Sequence, residues 1–263
     1  IANSKGTDGL AGLIEEVIRA VPEVRLGAAR TIKGVQYKAN IRTGVPSGGF
    51  RAANAGVTPG KSTFEQRLIE CAIANCYFRV DKAVAMSHED GLAAYLTAEA
   101  KAQVLGQMIA LGSQFYYGTL LDSNKGFPGL GVTYDATNMT VDATGSTADT
   151  GSSVWFVKWG DDGVQWLYGN GENPLQLSEQ REETGADPND STKILTYISQ
   201  ELLAWVGLKQ GSLHSAVRIK NLTAQTGKGL TDLLLYDGLS LFPTGWKPDV
   251  CLMNRRSLKQ LRA

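Results

Sequence analysis

The sequence predicts an α+β protein, and three stretches carry that expectation: a long helix over residues 90–118, a glycine-tipped extended hairpin over residues 31–64, and a strand-rich body beyond residue 150. In the helix, Val104, Met108, Leu111 and Phe115 recur at helical spacing, flanked by Leu105, Ile109 and Tyr116. At about 1.5 Å per residue it runs roughly 40 Å, enough to brace a whole domain. Ala98, Ala100, Ala102, Gly106, Ala110 and Gly112 are small, so a second backbone can lie close against it. Glu99 and Lys101 argue against a membrane span, which needs about 20 nearly all-apolar residues.

The other elements follow in order. Residues 1–30 begin loosely and then carry an amphipathic helix through Leu10, Leu13, Ile14, Val17, Ile18 and Val21, stopped by Pro22; they read as an arm. Residues 31–64 hold five basic residues, Lys33, Lys38, Arg42, Arg51 and Lys61, and no acid. Their centre, residues 44–49, is a glycine-rich tip between two extended limbs, and the whole has too few apolar residues to hold a core of its own. Such a segment is a mobile lid, a disordered insertion, or a loop that gains order on another molecule. A loop that binds single-stranded nucleic acid needs interleaved aromatics for stacking, and only Tyr37 and Phe50 are present.

Residues 66–86 read as a strand leading into the long helix, with Ser87 or Asp90 as N-cap. Residues 136–153, rich in Thr, Gly, Asp and Ser, read as a surface connection. Residues 154–159 and 164–168 flank Gly160-Asp161-Asp162-Gly163 and predict a hairpin. Residues 172–190 are acidic and loop-like, between that hairpin and strands expected at 196–210 and 216–222. Thr231 caps a short apolar helix through Phe242, and residues 248–254 predict a buried strand entering a basic helix capped by Asn254.

A chain of 263 residues with 43% hydrophobic content can bury a sizeable core as one large domain or two smaller ones. Twenty-six basic residues balance 26 acidic ones, so no global charge draws nucleic acid or acidic lipid, and any charge-driven partner is met locally. Cys71, Cys76 and Cys251 lie in apolar surroundings, too few for a disulfide framework, and read as packed thiols made in a reducing compartment. The 30 glycines cluster between elements, as tight turns require.

No catalytic constellation emerges. His88 and His214 are far apart, each in a polar setting without a nucleophile motif. Cys71 and Cys76 lack a partnering Cys or His pair for zinc. Thr226-Gly227-Lys228-Gly229 lacks the upstream glycine and the trailing Ser or Thr of a phosphate loop, and Asp122-Ser123-Asn124-Lys125-Gly126 has its glycine one position early for a calcium loop. Glu182 and Glu183 have no apolar shielding to raise a pKa. The expectation is a non-enzyme with no cofactor and no metal.

The order of parts, and eight short motifs, resemble the major capsid proteins of tailed double-stranded DNA bacteriophages, with the HK97 fold. The motifs are Gly-Phe-Arg-x-x-Asn-x-Gly-Val at 49–57, Arg-Val-Asp-Lys at 79–82, Phe-Tyr-Tyr-Gly at 115–118 and Gly-Phe-Pro-Gly-Leu at 126–130. They continue with Ser-Val-Trp-Phe-Val-Lys-Trp-Gly at 153–160, Trp-Val-Gly-Leu at 205–208, Val-Arg-Ile-Lys-Asn at 217–221 and Met-Asn-Arg at 253–255. Each alone is weak; eight in one order over nearly the whole chain are specific.

The resemblance implies an N-terminal arm at 1–30, an extended E-loop hairpin at 31–67, and a peripheral domain at 68–126 with its spine helix at 90–118. A mixed α/β axial domain at 127–263 would run on into a remainder of the fold. It implies a subunit of an icosahedral head shell, self-assembling as hexamers and pentamers around packaged double-stranded DNA, with portal and scaffolding or decoration proteins as further partners and no membrane. The location implied is the virion, after assembly in the bacterial host cytoplasm. The neighbouring possibility is the shell of a cellular nanocompartment of the encapsulin type. Contact residues between subunits are expected at Lys38, Arg42, Phe50, Arg51, Asn54 and Lys61, meeting acids of the 172–190 segment or Glu89 and Asp90. Some family members link neighbours covalently through a lysine and an asparagine; Lys38, Lys61, Asn40 and Asn54 are present, and no bond is predicted.

Overall fold

The computed structural model describes residues 21–119, 126–146, 151–171 and 175–262, with backbone only at 42 and 43. The amphipathic helix expected in the arm lies outside the described residues except for Val21. In chain order come α1 (Pro22–Leu26), β1 (Ala29–Thr31), β2 (Gln36–Gly44), β3 (Thr63–Glu70), β4 (Ala72–Asp81), α2 (Lys82–Met86), α3 (Leu92–Tyr117) and α4 (Leu130–Thr133). The second half forms β5 (Thr140–Asp142), β6 (Ser152–Val157), β7 (Val164–Tyr168), β8 (Leu175–Leu177), β9 (Arg181–Ala186) and β10 (Ile194–Gln210). It closes with β11 (Ala216–Leu222), α5 (Asp232–Ser240), β12 (Val250–Leu252) and α6 (Arg255–Arg262).

Strand β10 organises the larger sheet. Its 17 residues pair antiparallel with β4 along one side, from Tyr197↔Asp81 to Val206↔Ala72. Along the other side β9, β8 and β7 follow one another, and β1 adds to β7 in parallel. This sheet therefore draws strands from both sides of residue 126. A four-stranded sheet, ordered β12-β6-β11-β5, forms the second layer, and β2-β3 stand apart as a two-stranded ribbon.

The helix α3 spans 26 residues, about 39 Å, and binds the two layers together. Gln103 donates from its side-chain amide to the carbonyls of Cys76 and Gln200, fixing α3 across β4 and β10. At its C-terminal end Phe115 is fully buried; its ring stacks on Trp166 at 5.3 Å and lies 5.9 Å from Trp159. Tyr116 reaches Trp155 of β6 at 6.3 Å. One aromatic cluster thus joins the spine to both sheets.

Four local expectations are corrected. Residues 154–168 do not form a hairpin: β6 belongs to the four-stranded sheet and β7 to the larger one. Val154, Trp155, Phe156 and Val157 are all buried, so β6 needs cover on both faces, which a two-stranded ribbon cannot supply. The turn itself is real, closed by Gly160 N–H to Val164 O and Gly163 N–H to Gly160 O, with Gly160 at φ +116°. Residues 66–86 are not one strand. Cys71 divides them, its N–H donating to Val35 O, and Asp81 caps the helical turn α2 by accepting from the Ala83 N–H. Neither Ser87 nor Asp90 caps α3; Gly91 does, at φ +85° and without a side-chain bond, because the chain enters the helix through a left-handed residue. Cys251 is exposed, since β12 is an edge strand with cover on one face only.

The segment 21–27 is locked onto the spine. Gly112 lets it approach: a Cβ there would meet Glu23 Oε1 at 2.3 Å and Val21 Cγ1 at 3.3 Å. Trp166 Nε1 donates to the Glu23 carbonyl. Burial raises the Glu23 carboxyl above its ordinary value, opposed by its own backbone hydrogen bond and by the Tyr116 hydroxyl.

Two outcomes follow from this packing. Phe115→Ala should destabilise the fold by about 3–5 kcal/mol in urea denaturation, since truncating a fully buried ring leaves a cavity. For Glu23, a raised folded pKa means the folded protein holds this proton more tightly than the unfolded chain does. Its contribution is therefore largest below the unfolded value of 4.5 and declines as pH rises through the folded value. Glu23→Gln should melt higher than wild type at neutral pH, with the difference shrinking toward pH 4.5; a difference constant across that range contradicts this.

Candidate functional site

Among the described residues little packs beneath the β2–β3 ribbon, where Ala39 is the buried position. Its register runs from Gln36↔Glu70 to Gly44↔Thr63, with an irregularity between Arg42 and Gly44. Every residue of β3 is exposed except Ile69, beside the root. Apolar side chains stand in solvent along its length: Phe50 is 110% exposed, Val45 76%, Val57 61%, Phe64 56% and Leu68 53%. An isolated two-stranded ribbon is marginal in water, and exposed apolar groups in a row mark a contact surface.

The root, in contrast, is tightly held. Ile32 N–H donates to Tyr168 O, and Gly171 N–H returns to Ile32 O. Gly207 brings β10 against the turn between the ribbon and β4; a Cβ there would meet Glu70 O at 3.1 Å and Cys71 Sγ at 3.3 Å. Tyr37, the first aromatic of the ribbon, lies between two cations, with Arg30 Cζ 5.0 Å and Lys209 Nζ 5.5 Å from its ring centre. Both cations converge on Asp161 of the 160–163 turn, Lys209 at 2.8 Å and Arg30 at 3.3 Å. The Lys209 hydrogen bond and charge, with Arg30, hold the Asp161 carboxyl below its usual range. Sequence reasoning took Asp161 for part of a hairpin turn; only the tertiary position of that turn makes it an anchor.

The expected contact residues are strung along this arm. Lys38 is exposed opposite Leu68, and the Arg42 backbone pairs with Phe64. Phe50, Arg51 and Asn54 sit in the tip, and Lys61 on the returning limb, all exposed. The structure brings Arg51 and Asn54 into one turn: Arg51 Nη1 donates to Ala55 O at 2.7 Å, Ala55 N–H to Ala52 O at 3.2 Å, and Asn54 adopts φ +64°. Gly60 lets the two limbs pinch together, since a Cβ there would meet the Pro46 Cβ at 2.8 Å.

The acids expected to receive this arm are more ordered than the sequence implies. The 172–190 segment is not only loop: it contains β8 and β9, short strands that rest on the long edge of β10 and need few apolar residues of their own. Glu182 pairs with Lys82 at 2.8 Å. Glu183 accepts from the Tyr77 hydroxyl, and bonds from Ser199 and Tyr77 hold its carboxyl below the ordinary range. Beside them, the outer face of β4 and β10 shows Ile73 at 64% and Tyr77 at 50% exposure, with Glu201 bound to the Asn75 amide. This open sheet face is apolar and of mixed charge, with Glu182, Glu183 and Glu201 beside Arg79 and Lys82, and its acids offer partners to the basic side chains of the ribbon. Glu89 and Asp90 are exposed before α3.

Among the described residues no group of three or more His, Cys, Asp or Glu side chains is placed to hold a metal ion. No described helix is long and apolar enough to cross a membrane.

Comparison with known proteins gives a consistent picture. A family model described as major capsid protein GP7 matches residues 28–240. A chain in the structure of bacteriophage Epsilon15 is similar at 20% identity with a TM-score of 0.50, covering 83% of this chain and 64% of that one. The present chain thus spans less than two thirds of that relative. The SrpI encapsulin of Synechococcus elongatus is similar at 11% identity with a TM-score of 0.51, covering 79% of this chain and 90% of that one. No curated protein matches at the sequence level.

The root geometry makes a measurable demand. Asp161→Ala leaves the buried Lys209 ammonium without its carboxylate and should cost about 1–2 kcal/mol in chemical denaturation. With Lys209→Met already present the same change should cost little, because no stranded charge remains; equal costs in both backgrounds contradict the anchor.

Proposed function

The chain belongs to the major capsid protein GP7 family, and from that premise we propose that it builds the icosahedral head shell of a bacteriophage from hexamers and pentamers enclosing double-stranded DNA. The observation that carries this reading is the ribbon of residues 36–70, rooted firmly and, among the described residues, largely uncovered beyond its root, with Phe50 fully in solvent. A neighbouring copy supplies the missing cover. In this reading residues 1–30 are the arm, 31–67 the E-loop, 68–126 the peripheral domain with its spine helix, and 127–263 the axial domain.

Lys38, Arg42, Phe50, Arg51, Asn54 and Lys61 then meet the next subunit. The receiving surface is the outer face of β4, β10 and the adjoining β9, where Ile73 and Tyr77 offer apolar contact and Glu183 and Glu201 offer charge. Area burial at about 25 cal/mol per Å² supplies the driving force, and charge pairing sets direction and register. The role is structural and non-enzymatic. Portal, scaffolding or decoration proteins are the further partners, packaged DNA is held without sequence specificity, and the shell forms in the host cytoplasm before release as a virion. A nanocompartment shell is the second reading, favoured by the similarity to SrpI encapsulin; nucleic acid in purified particles separates the two.

Negative-stain microscopy of the expressed protein, alone and with its scaffold, tests this directly: shells or capsomers support it, and dispersed monomers under every condition contradict it. Phe50→Ser, and separately Arg42→Glu with Arg51→Glu, should abolish shells. For Phe50→Ser, monomer stability should change by no more than about 0.5 kcal/mol, as for other exposed positions. Normal shells from both variants would overturn the role given to the ribbon.

A further inference from the structure

Helices α5 and α6 present opposite surfaces. On its inner side α5 lies close on the four-stranded sheet: Gly238 packs where a Cβ would come within 2.9 Å of the Phe156 ring, and Leu234 and Leu235 join the core. Its outer side carries Leu233 and Tyr236, each 70% exposed, flanked by the exposed carboxylates Asp232 and Asp237. Helix α6 turns Arg256 and Gln260 inward. Arg256 Nη2 donates to Ser152 Oγ and Leu222 O, and Gln260 bonds the backbone at Thr223 and Leu230. Its outer side carries Arg255, Lys259 and Arg262 at i, i+4 and i+7, one cationic stripe beside the 38%-exposed Leu258. Among the described residues, none of these two acids and three cations has an ion-pair partner in its own chain.

The two surfaces match each other in charge and in apolar character, yet lie on different elements of one chain. A contact between unlike patches of identical subunits is heterologous: each copy offers one patch forward and the other backward, and the chain of contacts closes into a ring when the rotation permits. We infer that α5 of one copy docks on α6 of the next, with Asp232 and Asp237 facing Arg255, Lys259 and Arg262 around Leu233, Tyr236 and Leu258. This rests on the shell reading above and assigns it a ring-closing contact separate from the ribbon. The large side chains at the centre supply the anchor, and the charges at the rim set direction and reject the parallel pairings α5–α5 and α6–α6.

A charge swap in the full chain tests the pairing, with native mass spectrometry of capsomers as readout. Asp232→Lys with Asp237→Lys, and separately Lys259→Glu with Arg262→Glu, should each lower the assembled fraction about tenfold or more, because like charges then face each other. The four substitutions together should restore assembly. The combination also controls for misfolding, since a chain damaged by either pair would not be rescued by adding the other. Wild type that assembles while both reversals assemble equally well overturns the helix pairing and leaves the shell reading standing. Loss in both without rescue overturns it too, as does loss confined to the α6 reversal, which would mark that stripe as a contact for another polyanion. Wild type that remains monomeric overturns this pairing and the shell reading together.

Discussion

A long ribbon that cannot bury its own apolar side chains constrains everything else about this protein. Fixing each backbone residue costs about 1–2 kcal/mol, and the ribbon's own hydrogen bonds return little of that in water. Phe50, Val45, Val57 and Leu68 stand more than half exposed, with little described surface on which to recover it. The fold answers with a division of labour. A rigid root sets where the ribbon points, and the tip is left to be completed from outside.

The root and the core are one construction. Asp161 collects Arg30 and Lys209 around Tyr37, and its turn sits where β6 leaves for one sheet and β7 for the other. A few residues inward, Trp166 of β7 stacks on Phe115 and donates from its indole N–H to the Glu23 carbonyl, so the 21–27 segment, α3 and β7 meet in one cluster. That coupling suits a subunit whose outward contacts must be set in angle as well as in chemistry, since small errors accumulate around a closed shell.

Elements governed by local rules were legible in the sequence, and elements governed by tertiary context were not. Helix α3 falls within the stretch its apolar stripe predicts, β11 spans the residues 216–222 expected of it, and Thr231 and Asn254 bond the backbone N–H groups their cap roles require. The hairpin of residues 154–168 was misread because a glycine-flanked turn specifies a reversal of direction, and only burial on both faces of β6 and β7 reveals that the strands part. Strands β8 and β9 escaped notice because an acidic segment with few apolar residues becomes strand only when a long neighbour such as β10 offers its edge. For the candidate site, composition exposed a core-poor ribbon and its acid-free stretch over residues 31–64. Its anchor at Asp161 and its counter-surface at Ile73, Tyr77 and Glu201 required coordinates, since they join residues 48 to 131 positions apart.

Hydrogen–deuterium exchange over residues 45–62, measured on isolated subunits and on assembled particles, tests the central claim most directly. The account predicts fast exchange of the tip in the isolated subunit and strong protection after assembly, while the root near Ile32 and Cys71 is protected in both states. Equal protection of the tip in both states would contradict it, because the ribbon would then owe its order to its own chain.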